Sequence, residues 1–174
     1  MARILKEEKY PNGSLKSRET LLDDQPGQRV TRKETWYKNG QQLSKWNFVT
    51  ASRDAGASVG QQHGPQETWH ENGQQAYKGN YVNGQKHGVQ EFWYRNGQQR
   101  DKENYVNGQL HGIQESWRQN GQLEYKKYYL DGTEVSQETY QKYIQGVAPT
   151  VQETTDFGER GISDIIAGYL KPDE

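Results

Sequence analysis

The chain reads as a mainly β protein: a single-layer antiparallel meander of β-hairpins closed by a C-terminal helical cap. Three observations predict it. Trp69, Trp93 and Trp117 recur at a step of 24 residues, as do His63, His87 and His111. Asn-Gly turn signals keep the same step in two series, one at Asn72-Gly73, Asn96-Gly97 and Asn120-Gly121, the other at Asn83-Gly84, Asn107-Gly108 and Asp131-Gly132. The runs between them are short and rich in aromatic residues, the pattern of strands joined by tight turns.

Taken in order, residues 1–132 divide into about five units. Tyr10-Pro11-Asn12-Gly13 is a degenerate first one, and Trp36 with Asn39-Gly40 opens the second. Trp36 lies 33 residues before Trp69, so about nine residues are inserted, and "TASRDAGAS" at 50–58 is the natural place for them. A loop of that kind is a candidate for specific recognition. The remaining units keep their step to Gly132. Residues 133–174 change period and are read as the helical cap. "VSQETYQKYIQG" supplies Ser136 as an N-cap, Tyr140, Tyr143 and Ile144 on one stripe, and Gly146 as a stop. Residues 149–156 suggest another short helical turn. "GISDIIAGYL" places Ile162, Ile165, Ile166, Tyr169 and Leu170 on one helical face. Such helices would cover the last apolar edge of a stack, or dock into another protein.

Asn-Gly between strands favours a type I′ turn, with both residues at positive φ. With Asn96-Gly97 as the two central residues, Glu91 faces Lys102. The same rule sets Glu34 against Lys45 around Asn39-Gly40, Glu67 against Lys78 around Asn72-Gly73, and Glu115 against Lys126 around Asn120-Gly121. Four opposite-charge pairs fix the register, since a slip of one residue would turn every side chain to the other face. Tyr81, Tyr105 and Tyr129 then lie over Gly64, Gly88 and Gly112, covering bare backbone. Alternation places Val89, Glu91 and Trp93 on one face and Phe92, Tyr94 and Tyr105 on the other. The tryptophan ladder is expected to form the inner face.

Composition excludes several function classes. Only 30% of residues are hydrophobic, yet five Trp and twelve Tyr at fixed spacing argue against disorder. A net charge of −1 without charge runs gives no electrostatic footprint for nucleic acid, and makes a lipid surface an unpromising target. No cysteine is present, so disulfides and thiol chemistry are excluded. No stretch approaches the roughly 20 apolar residues of a membrane helix. The chain is therefore expected to be soluble and intracellular, needing no cofactor.

Chemistry was sought and weighed. His63, His87 and His111 would stand roughly 10 Å apart in such a sheet, too far to share a zinc ion, whose ligands lie about 2 Å from it. Each precedes a glycine and is read as shaping a turn. For Glu67, Glu91 and Glu115, distance alone does not exclude a glycosidase-like acid/base pair, but each already faces a lysine and none is distinguished as a centre. No catalytic or metal residue is assigned. Trp36, Trp69, Trp93 and Trp117, with Tyr81, Tyr105 and Tyr129, are the candidate interaction residues. They would meet another protein or, if the tryptophans are open, a sugar.

"YVNGQKHGVQEFWYRNGQ" and "YVNGQLHGIQESWRQNGQ" resemble the MORN-variant repeat family, well over residues 31–132 and weakly before them. The resemblance implies an elongated hairpin array without chemistry of its own, a module for protein interaction or scaffolding. Some members of the family look like antitoxin or immunity partners of toxins; many others occur in large DNA viruses. A viral structural or assembly component and an immunity-like protein thus both stand open, with host cytoplasm or virion as the location if the source is viral. An open sheet edge or the terminal helix would serve homo-oligomerisation. Known MORN repeats also associate with acidic phospholipids, for which this chain lacks a basic excess.

Overall fold

The structure, a computed structural model, describes residues 2–22, 28–52 and 60–146. The long strands are β1 (Arg3–Lys9), β2 (Leu15–Leu21), β3 (Gln28–Trp36), β4 (Gln42–Ser52), β5 (Gly64–Trp69) and β6 (Gln75–Val82). After the two-residue β7 (Gln85–Lys86) come β8 (Gly88–Trp93), β9 (Gln99–Val106), β10 (Gln109–Leu110), β11 (Gly112–Trp117) and β12 (Leu123–Leu130). β13 (Thr133–Val135) and the helix α1 (Gln137–Ile144) follow. One antiparallel sheet holds every described strand, and its order follows the chain, with β7 and β10 folding back on β6 and β9. It is the meander that the repeat predicts. Tyr10-Pro11-Asn12-Gly13, worn in sequence, closes a full hairpin between β1 and β2.

The two turn series differ in geometry. At Asn83-Gly84, Asn107-Gly108 and Asp131-Gly132 both residues have positive φ, near 48° and 80°, as a type I′ turn requires. At Asn96-Gly97 only the glycine does, with φ 84°. Gly97 N–H donates to the Tyr94 carbonyl at 2.9 Å and Tyr94 N–H to Gln98 at 2.8 Å. This is a three-residue loop whose glycine sits in the left-handed region, and it recurs at Gly13, Gly40, Gly73 and Gly121. The type I′ expectation is thus corrected for the Asn39, Asn72, Asn96 and Asn120 turns. Register survives because the returning strand carries a bulge one step later. Trp93 faces Gln99 but Phe92 faces Asp101, leaving Arg100 as the extra residue. Lys16, Leu43, Ala76 and Glu124 are its counterparts.

Most of these loops are tied to the next one. Asn96 Oδ1 accepts from Gln98 N–H, 3.1 Å away, while Asn96 Nδ2 donates to the Gln119 carbonyl of the next hairpin at 3.0 Å. Asn39 and Asn72 do the same toward Glu71 and Arg95. An aromatic hydroxyl or imidazole adds a second tie: Tyr10, Tyr37, His70 and Tyr94 donate to the carbonyls of Trp36, Trp69, Trp93 and Trp117. The loop edge is therefore a stack of interlocked turns. Asp would keep the cap within its own loop but lose the donor to the next. An Asn72→Asp chain is expected to lose roughly 1 kcal/mol, read by urea denaturation; an unchanged midpoint would contradict the interlock.

From β4 onward, strands of adjacent hairpins pair over only two residues before separating, for example Tyr77 with Phe92 and Lys78 with Glu91, whereas β2 and β3 pair over five. A kink at each His-Gly produces the separation, with Gly64, Gly88 and Gly112 at φ 81°, 71° and 101°. Thr50–Ser52, read as the start of an insertion, continue β4 against β3, and 53–59 lie outside the described residues. Thr133–Val135, read as the start of the cap, form β13. α1 is as predicted: Ser136 Oγ accepts from Thr139 N–H, and the helix ends before Gly146 at positive φ. Tyr140 and Tyr143 pack on Tyr128, Leu130 and Val135, with Ile113 beside them. Ile144 stays exposed. The helical segments expected at 149–156 and 162–170 lie outside the described residues.

Candidate interaction surface

Directly opposed residues of an antiparallel sheet share a face, so register alone sorts the surface. Glu91 faces Lys102, Glu67 Lys78, Glu115 Lys126 and Glu34 Lys45, each pair as read from the sequence. The pairing does not stop at hairpin boundaries. Lys45 also faces Glu67, Lys78 faces Glu91, and Lys102 faces Glu115. At the other end Glu34 faces Arg18, which faces Glu7. One row of alternating sign thus crosses the sheet from β1 to β12, Glu7, Arg18, Glu34, Lys45, Glu67, Lys78, Glu91, Lys102, Glu115, Lys126.

Within this row three neighbours close to ion pairs: Glu7–Arg18 at 2.7 Å, Lys45–Glu67 at 3.3 Å and Glu115–Lys126 at 2.9 Å. Of the four intra-hairpin pairs only Glu115–Lys126 does so among the described residues, and Lys45 turns to the next hairpin instead. Glu115, by its hydrogen bond, raises the Lys126 ammonium above its ordinary range. Lysine is cationic at neutral pH in either case, so the stability linked to the lysine's raised pKa is lost only as pH rises into strong alkali.

Trp36, Trp69, Trp93 and Trp117 run parallel to the charge row on the same face, all half-buried. Arg18 lies over the Trp36 ring at 5.7 Å from its centroid. Neither face is the inner one throughout: Tyr128, Leu130 and Val135 are buried on the tryptophan face beneath α1. The buried side chains of the middle units, Gln66, Gln90 and Tyr77, lie on the opposite face. A single layer has no second sheet to enclose its tryptophans.

Tyr81, Tyr105 and Tyr129 on that opposite face pair in register with Gly64, Gly88 and Gly112, as expected. Lys86 reaches over the rings of Tyr105 and Phe92, at 4.6 and 5.6 Å, and lies 3.8 Å from Glu103. Burial, with the nearby Glu103 charge, pushes the Tyr105 hydroxyl up and keeps it protonated.

Gln66 and Gln90 are the residues the sequence reading passed over. Both are fully buried where adjacent hairpins part. Gln66 copies a backbone pair: its Nε2 donates to the Asn47 carbonyl at 2.9 Å and its Oε1 accepts from Asn47 N–H at 3.2 Å. Gln90 Nε2 donates to the Asn80 carbonyl at 3.0 Å, and its Oε1 accepts from the Tyr77 hydroxyl. Burial raises the Tyr77 hydroxyl far above its ordinary range, so it remains a donor. The signal was present as a Gln-Glu dipeptide at 66, 90 and 114, of which only the glutamate had been read.

His63, His87 and His111 stand at the kinks, one per unit. His111 Nδ1 lies 3.0 Å from Asp131 Oδ1, whereas the buried Nδ1 atoms of His63 and His87 have no protein partner. Among the described residues no three His, Cys, Asp or Glu side chains are grouped to hold a metal. No helix among them is long and apolar enough to cross a membrane.

Comparison with known families places this geometry. Residues 62–83, 86–107 and 110–131 each match the MORN repeat variant. These three units are MORN-variant repeats. Each matched MORN segment spans one hairpin from its kink to its type I′ turn. The two hairpins before them, outside the matched residues, share the loop, the bulge and the tie to a tryptophan carbonyl. No curated protein and no solved structure matched the chain. MORN repeats generally take part in protein–protein or membrane interactions and are typically non-enzymatic.

Proposed function

We propose that the array is a non-catalytic protein-binding scaffold whose contact surface is the row Trp36, Trp69, Trp93 and Trp117 beside the alternating charges. What supports this is a row of four tryptophans, each only partly buried, on a sheet face that α1 covers only at its C-terminal end. Tryptophan and arginine are the side chains that most often anchor protein interfaces. The interlocked turns hold them in place before a partner arrives, so little ordering cost falls on binding. A structural or assembly role, viral or cellular, is the finer form of this reading, and neutralisation of a toxin is its alternative. A Trp69→Ala/Trp93→Ala variant with unchanged circular dichroism is expected to lose a protein that the intact chain retains from its source extract. Identical retained sets would sink the proposal.

One observation favours a second reading. A groove of about 290 Å³ lies among Glu8, Tyr10, Lys16, Ser17, Lys33, Thr35, Trp36 and Leu43. The small Ser17, Thr35 and Ser44 stand in the row that Tyr77 and Phe92 fill further along. Hydroxyls beside aromatic walls suit a sugar. Glycan-array binding abolished by Thr35→Trp, which fills the groove, would support that reading; no bound glycan would exclude it.

A further inference from the structure

α1 shows what the tryptophan face accepts. Its Tyr140 and Tyr143 cover Ile113, Tyr128, Leu130 and Val135, leaving Leu130 only 3% exposed. The 24-residue step puts Val89 and Val106 at the positions of Ile113 and Leu130 one unit earlier, and Pro65 and Val82 one unit before that. Register keeps them on the same face, since Val89 faces Asn104 and Pro65 faces Asn80 as Ile113 faces Tyr128. These earlier positions are open, with Val89 46%, Val106 39% and Val82 38% exposed. One unit is two strands, or roughly 10 Å, and packed helices lie about 8–10 Å apart. A second helix over Val89 and Val106 would therefore rest against the side of α1.

We propose that this position takes residues 162–170 of the same chain. Ile162, Ile165, Ile166, Tyr169 and Leu170 fall at i, i+3, i+4, i+7 and i+8, an apolar stripe that calls for a partner. Residues 147–161 join it to the end of α1. That connection reaches up to ~50 Å when extended, far more than one unit. The tether also holds the stripe at an effective concentration in the millimolar range, so a small apolar contact suffices. Trp93 lies four residues along β8 from Val89, roughly 13 Å away, and its row stays open. The inference is thus independent of the protein-binding reading.

Hydrogen exchange on the full chain tests it, alongside a Val89→Asp/Val106→Asp variant. Both valines are exposed enough for that variant to fold, and circular dichroism checks that it does. The amides of 162–170 are expected to exchange at least about tenfold slower than unstructured peptide, at a rate independent of protein concentration. The protection is expected to vanish in the double variant. Unprotected amides in the intact chain would overturn the proposal. So would protection that survives the double variant, or protection that grows with concentration and dimer content by light scattering.

Discussion

Gly79→Ala is expected to cost about 3 kcal/mol. Gly79 lies opposite Gln66 on the tyrosine face, and a Cβ there would overlap both Gln90 Oε1 and the Tyr77 hydroxyl. Neither atom is free to yield. The hydroxyl donates to that oxygen, and Gln90 Nε2 is held 3.0 Å from the Asn80 carbonyl. Overpacking of this kind costs roughly 1–3 kcal/mol, and a buried polar atom left without its partner another 1–3. Urea denaturation followed by tryptophan fluorescence measures the loss; less than about 1 kcal/mol would mean that Gln90 moves at little cost. A double-mutant cycle assigns the cause, because Gln90→Ala removes the obstacle. The pair should therefore be less destabilised than the sum of its singles.

The second large effect is expected at a loop. Gly97→Val forces a β-branched residue to φ 84°, a region that such side chains scarcely enter. A Cβ at this position would also stand 2.9 Å from Gln74 Oε1 of the preceding hairpin. The combined cost should be roughly 2–3 kcal/mol. Asn96→Asp in the same loop should cost less, since it loses only the bonds Asn96 Nδ2 donates to the Gln119 carbonyl and the exposed Gln98 side chain. Equal midpoints for Gly97→Val and the unaltered chain would refute the loop geometry.

Much of the sheet was legible because its information is local and repeated. A 24-residue step, two turn signals per unit and alternating side chains specify strands, order and faces without reference to distant contacts. The Glu91–Lys102 register was right even though the turn type behind it was wrong. A loop with one more residue and a bulge after it return the strand to the same register. Asn-Gly is compatible with both loops, so its sequence cannot distinguish them. What the three-residue loops share is an asparagine Oδ1 that accepts the N–H two residues on, at Asn120 too, whose Nδ2 donates to Gln122 of its own loop.

The buried residues were less legible. Gln90 and Gln66 look like exposed polar positions when hydrophobic pattern is the guide, and they are the most enclosed side chains of the middle units. They become buried because hairpins splay at the His-Gly kinks, and an amide there replaces missing backbone partners. Gly79 has no counterpart in the repeat, since Glu103 and Lys127 hold the equivalent positions. Its role appears only once Tyr77 and Gln90 meet above it. In the next unit Glu103 itself partners Gln114, at 3.2 Å.

Sequence by itself determined that this chain is a ribbon of hairpins, which residues face one another within each, and that a capped helix follows the last. Tertiary structure alone decided the continuous charge row across hairpin boundaries, the burial of the glutamines and the partial burial of the tryptophans. The physical reason is range. Pairing within a hairpin is set by residues a dozen positions apart, whereas contacts between hairpins depend on where a neighbouring unit's backbone leaves a donor, an acceptor or a gap.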